Sequence, residues 1–306
     1  MSVDSNTRIK YAFYSNTWNS ATESREKLVK TSSRIAAIEY SPEMRNRLYC
    51  PGCYTQLVRT PLDKPIFTNG RKACFAHLPK NRSIPCDLRS TKPEGMLYQT
   101  FEDAPQAVAE ERLIVISSFM REPMSPTDPS GVYDQTPVED ASGPTANVPI
   151  SRHSGKKFNL PTKISTIASV CRRFDLNLYR YFLFPGDAMA YRLLDILTDV
   201  RKVTEPTQTP KLYFGKIAES FNAGKNASNI RMTKLLCNQG VKDFYIKVVD
   251  RLQTEKGISD SSKGRHLIFW GTISGSGIGL CAQNLAWGEF ALLPQIYDDM
   301  LPSAED

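Results

Sequence analysis

Four cysteines and one histidine between Cys50 and Cys86 constrain this chain more than any other feature. Cys50-Pro-Gly-Cys53 is followed by Cys74-Phe-Ala-His77 and then by Cys86. A Cys-x-x-Cys turn holds two thiolates at the separation that a tetrahedral zinc ion requires, and a Cys-x-x-His turn supplies two further ligands. A site with four protein ligands leaves no open position for water or substrate. The pattern therefore predicts a structural Zn²⁺ ion.

Five side chains compete for these ligand positions. Spacing alone favours two pairs, Cys50 with Cys53 and Cys74 with His77, because each pair fits on one tight turn. The alternative keeps the first pair, takes His77 and Cys86, and leaves Cys74 as a small buried apolar residue. A redox role is disfavoured, since the Cys-x-x-Cys motif does not open a helix in a β-α-β unit. Nearby basic residues that favour ionised thiolates are Arg59, Lys64, Arg71 and Lys72.

Three short runs resemble the N-terminal zinc-binding module of the CoiA-like competence protein family. They are 48–53 (Leu-Tyr-Cys-Pro-Gly-Cys), 73–77 (Ala-Cys-Phe-Ala-His) and the trailing Cys86. Family members typically have tyrosine-x-Cys-Pro-x-Cys, then His-Phe-Ala-His, then Cys. Here Cys74 stands where the first His is usual, and Tyr49 directly precedes the first Cys. The resemblance covers residues 8–90, and the ligands it implies are Cys50, Cys53, His77 and Cys86.

The resemblance also implies a setting in DNA uptake, mobile elements or phage defence. Members of the family usually continue into a nuclease-like domain with acidic metal ligands. In this chain the nearest acidic cluster, 243–250 with Glu255-Lys256, lacks the strand-borne Glu-x-Lys of such a domain. The resemblance therefore implies a binding module without a carried-over activity. We expect a protein that is not an enzyme, and a divalent-metal-dependent nuclease with an unrecognised acidic site is the catalytic alternative.

Composition and charge predict a cytoplasmic, multidomain protein. A length of 306 residues favours two or three domains. No apolar run approaches the roughly 20 residues that span a bilayer, and the first ten residues are polar, so no membrane partner is expected. The net charge of +7 is uneven: residues 1–93 hold 16 Lys/Arg against 7 Asp/Glu, 122–151 hold five acids and no base, and 152–205 hold ten bases against five acids. Basic segments of this kind favour phosphate-rich partners.

These shifts in composition divide the chain into five segments. The acidic stretch contains six prolines and few large apolar residues, which is typical of a linker. The predicted segments are a basic zinc-binding module (1–93), a helical or connecting segment (94–121), an acidic Pro-rich linker (122–158), a helical segment (159–205) and a β-rich domain (206–306).

Local patterns predict the elements within these segments. Ser20 and Glu23 form a capping-box pattern before a helix at 21–30. A hairpin after the Cys-x-x-Cys turn would use 56–59 and 65–68 as its arms, with Asn69-Gly70 as the turn. Apolar spacing predicts a helix from Pro161, and Asp187 is placed to cap a second one.

The pattern of the last hundred residues predicts β structure. Strands are predicted at 212–218, 229–236, 243–250, 266–273, 277–283 and 289–293, separated by turns rich in Asn, Gly and Ser. Strands of this number and length are typical of a small barrel of the OB type or of a sandwich. The predicted fold class is α+β, with a small zinc-ribbon-like N-terminal module, a short helical middle part and this C-terminal domain.

Cations interleaved with aromatic residues predict binding of single-stranded DNA or RNA. Basic side chains would hold phosphates while rings stack on bases. The candidate residues are Arg71, Lys72, Arg172, Arg173, Lys216, Arg231, Lys234, Lys247, Arg265 and Trp270. A non-catalytic subunit of a larger nucleoprotein assembly, with other protein subunits as its partners, is the second interpretation.

Overall fold

The chain folds into two compact units. The structure, a computed structural model, describes residues 9–65, 72–81, 83–89, 106–108, 112–122, 145–148, 158–161 and 164–302. The N-terminal unit comprises Met1–Glu94 and Asp299–Asp306, and the C-terminal unit comprises Gly95–Asp298. Apart from 122, 145–148 and 158, the predicted acidic linker lies outside the described residues. Within those ranges, no helix combines the length and apolarity needed to cross a bilayer.

The fold mixes α and β structure and consists mostly of sheet. The strands are β1 (Ala12–Tyr14), β2 (Ser33–Ile35), β3 (Leu48–Tyr49), β4 (Leu57–Thr60), β5 (Cys74–His77), β6 (Leu113–Val115), β7 (Thr145–Val148), β8 (Phe158–Pro161), β9 (Tyr181–Leu183), β10 (Tyr191–Arg192), β11 (Thr198–Asp199), β12 (Lys211–Asn222), β13 (Ile230–Leu235), β14 (Phe244–Val249), β15 (His266–Gly271), β16 (Ser274–Ser276), β17 (Gly279–Gln283) and β18 (Phe290–Leu292). The α-helices are short: α1 (Arg25–Thr31), α2 (Ile167–Arg172), α3 (Phe174–Asn177), α4 (Leu193–Ile196) and α5 (Asp250–Glu255). Short 3-10 helices lie at Pro42–Met44, Pro79–Asn81, Val200–Lys202, Asp260–Ser262, Trp287–Glu289 and Gln295–Met300.

In the N-terminal unit a three-stranded antiparallel sheet, in the order β2-β1-β3, has two differently covered faces. One face packs with the β4–β5 hairpin in a core that includes Ala12, Leu48, Cys50 and Phe75. The other face packs against Leu28 of α1 and nearby aromatic residues. The sheet therefore separates a core that contains a cysteine from a core made of rings.

Helix α1 begins four residues later than predicted. Ser24 is the N-cap, and its hydroxyl accepts a hydrogen bond from the backbone N–H of Lys27. Glu23 instead accepts from the backbone N–H of Asn19 at 3.0 Å and pairs with the Lys27 ammonium. The predicted capping box was therefore wrong by one turn, because Ser24, four residues after Ser20, is the residue that caps the helix.

The partner of β4 also differs from the prediction. β4 pairs antiparallel with β5, with Leu57 opposite His77 and Thr60 opposite Cys74. The predicted arm at 65–68 is therefore not the partner, and 66–71 lie outside the described residues. The longer excursion allows Phe75 of β5 to enter the same core as Leu57.

All six C-terminal strands predicted from the sequence are confirmed as β12, β13, β14, β15, β17 and β18. They form one sheet in the order β16-β17-β14-β13-β12-β15-β18, and β11 also pairs with β12. The sheet is not closed into a barrel, since its path ends at β16 on one side and at β18 on the other. The predicted OB-like barrel was wrong in this respect.

Strand β12 joins the two halves of this sheet. Its first half pairs with β15, its second half pairs with β13, and the register shifts between Ile217 and Glu219. Both halves contribute to one apolar core. At Gly215 an added Cβ would lie 2.6 Å from Val200 and 2.9 Å from Leu235, so a side chain there would collide with that core.

The helical middle segment is only partly helical. Thr166 caps α2, where its hydroxyl accepts from the backbone N–H of Ser169. The second predicted helix was largely wrong: Asp187 caps no helix, β10 occupies Tyr191–Arg192, and α4 spans a single turn. Pairing of β9 with both β6 and β10 explains this, because it places the segment in a second three-stranded sheet.

Candidate metal centre

Three separate pieces of the N-terminal unit bring four ligand-type side chains together. Cys50 follows β3, Cys53 lies in the next turn, His77 ends β5, and Cys86 lies in the loop beyond the Pro79–Asn81 turn. Their ligand atoms all lie within 4.8 Å of one another. In the ranges that the structure describes, this is the one set of three or more His, Cys, Asp or Glu side chains with such geometry.

The distances suit a tetrahedral ion. The sulfurs of Cys50 and Cys86 are 3.7 Å apart, and the Sγ of Cys53 lies 3.4 Å from Nε2 of His77. Zn–S bonds of about 2.3 Å in tetrahedral geometry would place two sulfurs about 3.8 Å apart. Three thiols and an imidazole form a donor set that zinc prefers. The group can therefore bind a metal ion, and its donors fit zinc.

The turn after β3 is built for close approach of the loop that carries Cys86. The Cys50 N–H donates to the Thr55 carbonyl at 2.8 Å, which closes the turn. A Cβ on Gly52 would lie 3.2 Å from the Cys86 sulfur, so a larger residue would crowd that ligand. The Gly52 N–H lies 3.4 Å from the Cys50 sulfur and donates to it.

Cys74 lies outside this group. Successive side chains of a strand point to opposite faces, so Cys74 and His77, three positions apart, face opposite ways. Burial in β5 follows that alternation, because Phe75 and His77 are buried while Cys74 and Ala76 are half-exposed. Of the two ligand sets that the spacing left open, the structure assembles the one with Cys86.

Burial shifts the proton affinities of the ligands in different directions. It raises the pKa of the Cys50 thiol to about 12. Burial alone would raise the pKa of Cys53 too, but hydrogen bonds, first of all from Thr55, outweigh it and hold that pKa below its usual value. Burial, assisted by the positive charge of Arg89, lowers the pKa of His77 to about 4. The imidazole is therefore neutral at neutral pH, the form that binds metals.

Sequence reasoning missed Thr55 as part of this site. Its hydroxyl lies 3.0 Å from the Cys53 sulfur. A hydroxyl that donates to a ligand sulfur stabilises the thiolate and orients it. The one sequence signal is the Cys-x-Thr spacing, which is too common to single out a residue.

Two of the predicted nucleic-acid-binding residues are buried, which corrects their assignment to an exposed face. Trp270 is 6% exposed and stacks on Phe184 with ring centroids 4.7 Å apart. Arg231 is 7% exposed, and its guanidinium donates at 2.6 Å to both Asp250 and Asp260. The ring of Trp270 and the charge of Arg231 are thus engaged within the C-terminal unit.

The edge of Trp270 contributes to a cavity of about 500 Å³ in the C-terminal unit. The other lining residues are Ser117, Ser118, Phe119, Arg121, Pro185, Asn284, Ala286 and Glu289. The Glu289 carboxylate accepts from the Ala286 N–H at 2.8 Å and so closes its own turn. The cavity combines an aromatic wall with one cation and several small polar groups.

Three predicted cations lie on strands of the large sheet with their side chains at least partly exposed. Lys216 is exposed on β12. The ammonium of Lys234 lies 6.0 Å from the ring centroid of Tyr245 and 3.8 Å from Glu219. Lys247 donates to the hydroxyl of Ser276. Each is therefore accessible, but two of them already contact neighbouring groups.

The remaining predicted cations lie on several different elements of the chain. Arg172 and Arg173 are half-buried at the end of α2, and Arg265 donates to the Leu293 carbonyl at 3.2 Å. Lys72 is exposed in the N-terminal unit, and Arg71 lies outside the described residues.

Comparison of the chain with protein-family models and with curated protein sequences gave no significant match.

Proposed function

We propose that the protein binds nucleic acid and that its N-terminal unit is a structural zinc module. The observation that carries the zinc assignment is the closed Cys50, Cys53, His77 and Cys86 group, in which protein atoms would fill all four positions of a tetrahedral ion. Zinc bound there would cross-link the turn after β3, the end of β5 and the following loop. With no position open to water or substrate, its role is structural.

Charge supports the nucleic-acid assignment. The described part of Met1–Glu94 carries 12 Lys/Arg against six Asp/Glu. Most of these cations are exposed, including Lys10, Arg25, Arg34 and Lys72. A rigid module with an excess of exposed cations attracts phosphates through counterion release. The proposed mechanism is electrostatic attraction to the backbone, with rings adding contacts to bases.

The test is a salt titration of binding, using full-length protein whose zinc content has been measured. Fluorescence anisotropy would follow labelled single-stranded DNA, duplex DNA and single-stranded RNA of equal length. We expect binding that weakens steeply with salt, because each displaced counterion contributes to the slope. Absence of binding at low salt by folded, zinc-loaded protein would overturn the proposal and favour the assembly-subunit interpretation.

A further inference from the structure

A row of rings and guanidinium groups lies on the face of the N-terminal sheet opposite the metal centre. Tyr11, directly before β1, and Phe13 of β1 are two positions apart and share this face, and their rings meet edge to face with centroids 5.6 Å apart. Register places Arg34 of β2 opposite Phe13 on one side and Tyr49 of β3 opposite it on the other. The sheet therefore sets aromatic and cationic side chains side by side.

The turn that carries Cys53 supplies the next ring. Tyr54 stacks on Phe13 with centroids 6.4 Å apart and an interplanar angle of 3°. Its backbone has a φ of +63°, a left-handed conformation that is rare for an aromatic residue. The hydrogen bond from the Tyr54 N–H to the Cys50 carbonyl, at 2.9 Å, holds it there. Closure of the metal-binding turn thus also orients the Tyr54 ring.

Two arginines lie against the tyrosine rings of this face. The guanidinium of Arg34 lies 5.1 Å from the centroid of Tyr11, and that of Arg25 lies 5.2 Å from the centroid of Tyr54. Both arginines are exposed, while the two tyrosines are half-buried and Phe13 is buried beneath them. The face thus presents two cation–ring pairs, Arg34 with Tyr11 and Arg25 with Tyr54, and the guanidinium of Arg34 also lies 5.9 Å from the centroid of the buried Phe13.

The two guanidinium groups differ in their nearest charges, since Arg25 has the carboxylate of its neighbour Glu26 close enough to interact electrostatically. Within the described part of the unit, no ion pair joins Arg25 or Arg34 to a carboxylate. The neighbouring carboxylate of Glu26 is engaged first by its own backbone N–H and by Ser24, which lower its pKa. Arginines that rest on rings keep their charge and several donors available, and they lose little freedom on binding a phosphate.

We propose that Tyr11, Tyr54, Arg25 and Arg34 form the contact surface for a single-stranded nucleic acid, an assignment that rests on the proposed function and locates it. The partly exposed rings suit stacking with bases, and the guanidinium beside each ring suits a neighbouring phosphate. In a duplex the bases are stacked inside the helix, so no base would be available to stack on the rings. An acidic peptide would use the arginines but leave the rings without a role.

The test compares ring and charge variants in full-length, zinc-loaded protein. Binding to oligothymidylate and to oligouridylate of about 12 nucleotides, a length within the known range of single-strand sites, is measured by anisotropy. Tyr11→Ala and Tyr54→Ala should each weaken binding about tenfold, whereas Tyr54→Phe, which keeps the ring, should bind like wild type. Tyr245→Ala in the C-terminal unit is the matched ring control and should also bind like wild type. The two oligonucleotides show whether the sugar is distinguished.

The charge arm uses Arg25→Gln and Arg34→Gln, with the exposed Arg251→Gln as the matched control. Each of the first two should reduce the slope of log affinity against log salt by about one, and the control should leave it unchanged. Zinc content and near-ultraviolet circular dichroism confirm that every variant is folded. Photocrosslinking of bound oligonucleotide should label peptides that contain Tyr11 or Tyr54.

The outcomes separate this inference from the proposed function. If wild-type protein binds no nucleic acid, the proposed function fails and this inference fails with it. If wild-type protein binds but the Tyr11 and Tyr54 variants bind equally well, or crosslinks fall only in the C-terminal unit, the surface is wrong and the proposed function stands. Binding of polyglutamate as tight as that of oligothymidylate would also overturn the assignment, because charge alone would then explain it.

Discussion

The cores of the two units are built from different kinds of residue. In the N-terminal unit the core around Cys50 also involves the partly buried Cys53 and Cys86, so three of the four ligand-type side chains pack in it. In the C-terminal unit the main core is apolar and draws on six strands, with rings such as Phe244, Phe269 and Phe290 fully buried. A metal ion held by these ligands would add its binding free energy to the stability that the apolar contacts of this core supply.

Aromatic residues and arginines differ in burial between the two units. Phe244, Phe269 and Phe290 fill the interior of the C-terminal unit, whereas Tyr11 and Tyr54 of the N-terminal unit are only half-buried. Arg231 is buried between two carboxylates, while Arg25 and Arg34 rest on rings and remain exposed. Stability of the first unit should therefore depend on metal, and stability of the second on packing and internal ion pairs.

Removal of one ligand should produce the largest effect. Cys53→Ser should abolish stoichiometric zinc binding and unfold the N-terminal unit, since structural zinc sites contribute about 10–16 kcal/mol of apparent binding free energy. The measurement is zinc content together with the emission of Trp18, which is buried against Tyr49 in this unit. Substitution of the other two tryptophans, Trp270 and Trp287, by Phe would isolate that signal.

Cys74→Ser is the matched control for that ligand variant. It makes the same change of Cys to Ser, but on the face of β5 opposite to His77, so this variant should retain zinc. Loss of zinc from this control, or full retention by Cys53→Ser, would contradict the ligand set that the structure assembles.

Acid should release the metal, and the pH dependence of release should report the number of thiolate ligands that take up protons. Each of the three thiolates must take up a proton when zinc leaves below about pH 8.5, which costs about 1.4 kcal/mol per proton and per pH unit. The stability of the zinc-loaded unit should thus fall by about 4 kcal/mol per pH unit on acidification. Competition with a chromogenic chelator between pH 8 and pH 5 measures this slope.

The same titration reports on His77. In the folded unit its pKa is about 4, so the imidazole takes no proton above that pH. In an unfolded chain it recovers its usual pKa near 6.5. If release unfolds the unit, the slope should steepen from three protons to four near pH 6.5, because the unfolded chain binds the additional proton. A slope that does not steepen between pH 7 and pH 5 would show that the metal-free unit stays folded.

Disruption of the Arg231 network should destabilise the C-terminal unit without affecting zinc. Arg231→Met leaves the poorly exposed Asp250 carboxylate without its cation, and loss of one partner of a buried pair costs about 3–5 kcal/mol. The second carboxylate, that of Asp260, is 77% exposed, so Asp260→Asn should cost under about 1 kcal/mol. Urea unfolding followed by Trp270 and Trp287 emission measures both. Equal losses from the two variants would contradict a buried role for the first pair.

The sequence supports some of these conclusions and not others, for physical reasons. The six C-terminal strands could be predicted because hydrophobic alternation and turn residues are local signals. The side of a strand that faces the core is not local: in β13 the inward positions carry Arg231 and Thr233, while Ile230 points outward. The burial of Trp270 likewise depends on strand pairing, which residue spacing does not reveal. The same holds for the presence of Cys86 rather than Cys74 in the ligand group.

Lys256 of the C-terminal unit is also a cation placed against a ring, but it is half-buried, whereas Arg25 and Arg34 of the N-terminal unit are exposed. Its ammonium lies 3.1 Å from the centroid of Trp287 and has no hydrogen-bond partner among the described residues. Burial lowers the pKa of Lys256 to about 8. Below pH 8 both the folded and the unfolded chain carry the charge, and the folded state bears the desolvation cost. Between pH 8 and 10.5 the folded state loses its proton first, so stability should rise with pH.

Lys256→Met should therefore stabilise the C-terminal unit at pH 7 by about 1 kcal/mol, a figure reduced for partial exposure and for the lost contact with Trp287. The gain should shrink toward zero by pH 10.5, because the wild-type lysine is then neutral in the folded state. Thermal unfolding at several pH values measures it, and Lys242→Met, at an exposed position, should change little. A variant less stable than wild type at pH 7 would mean that attraction to the ring exceeds the cost of burial. The cation–ring contact would then stabilise the core of one unit as well as shape the surface of the other.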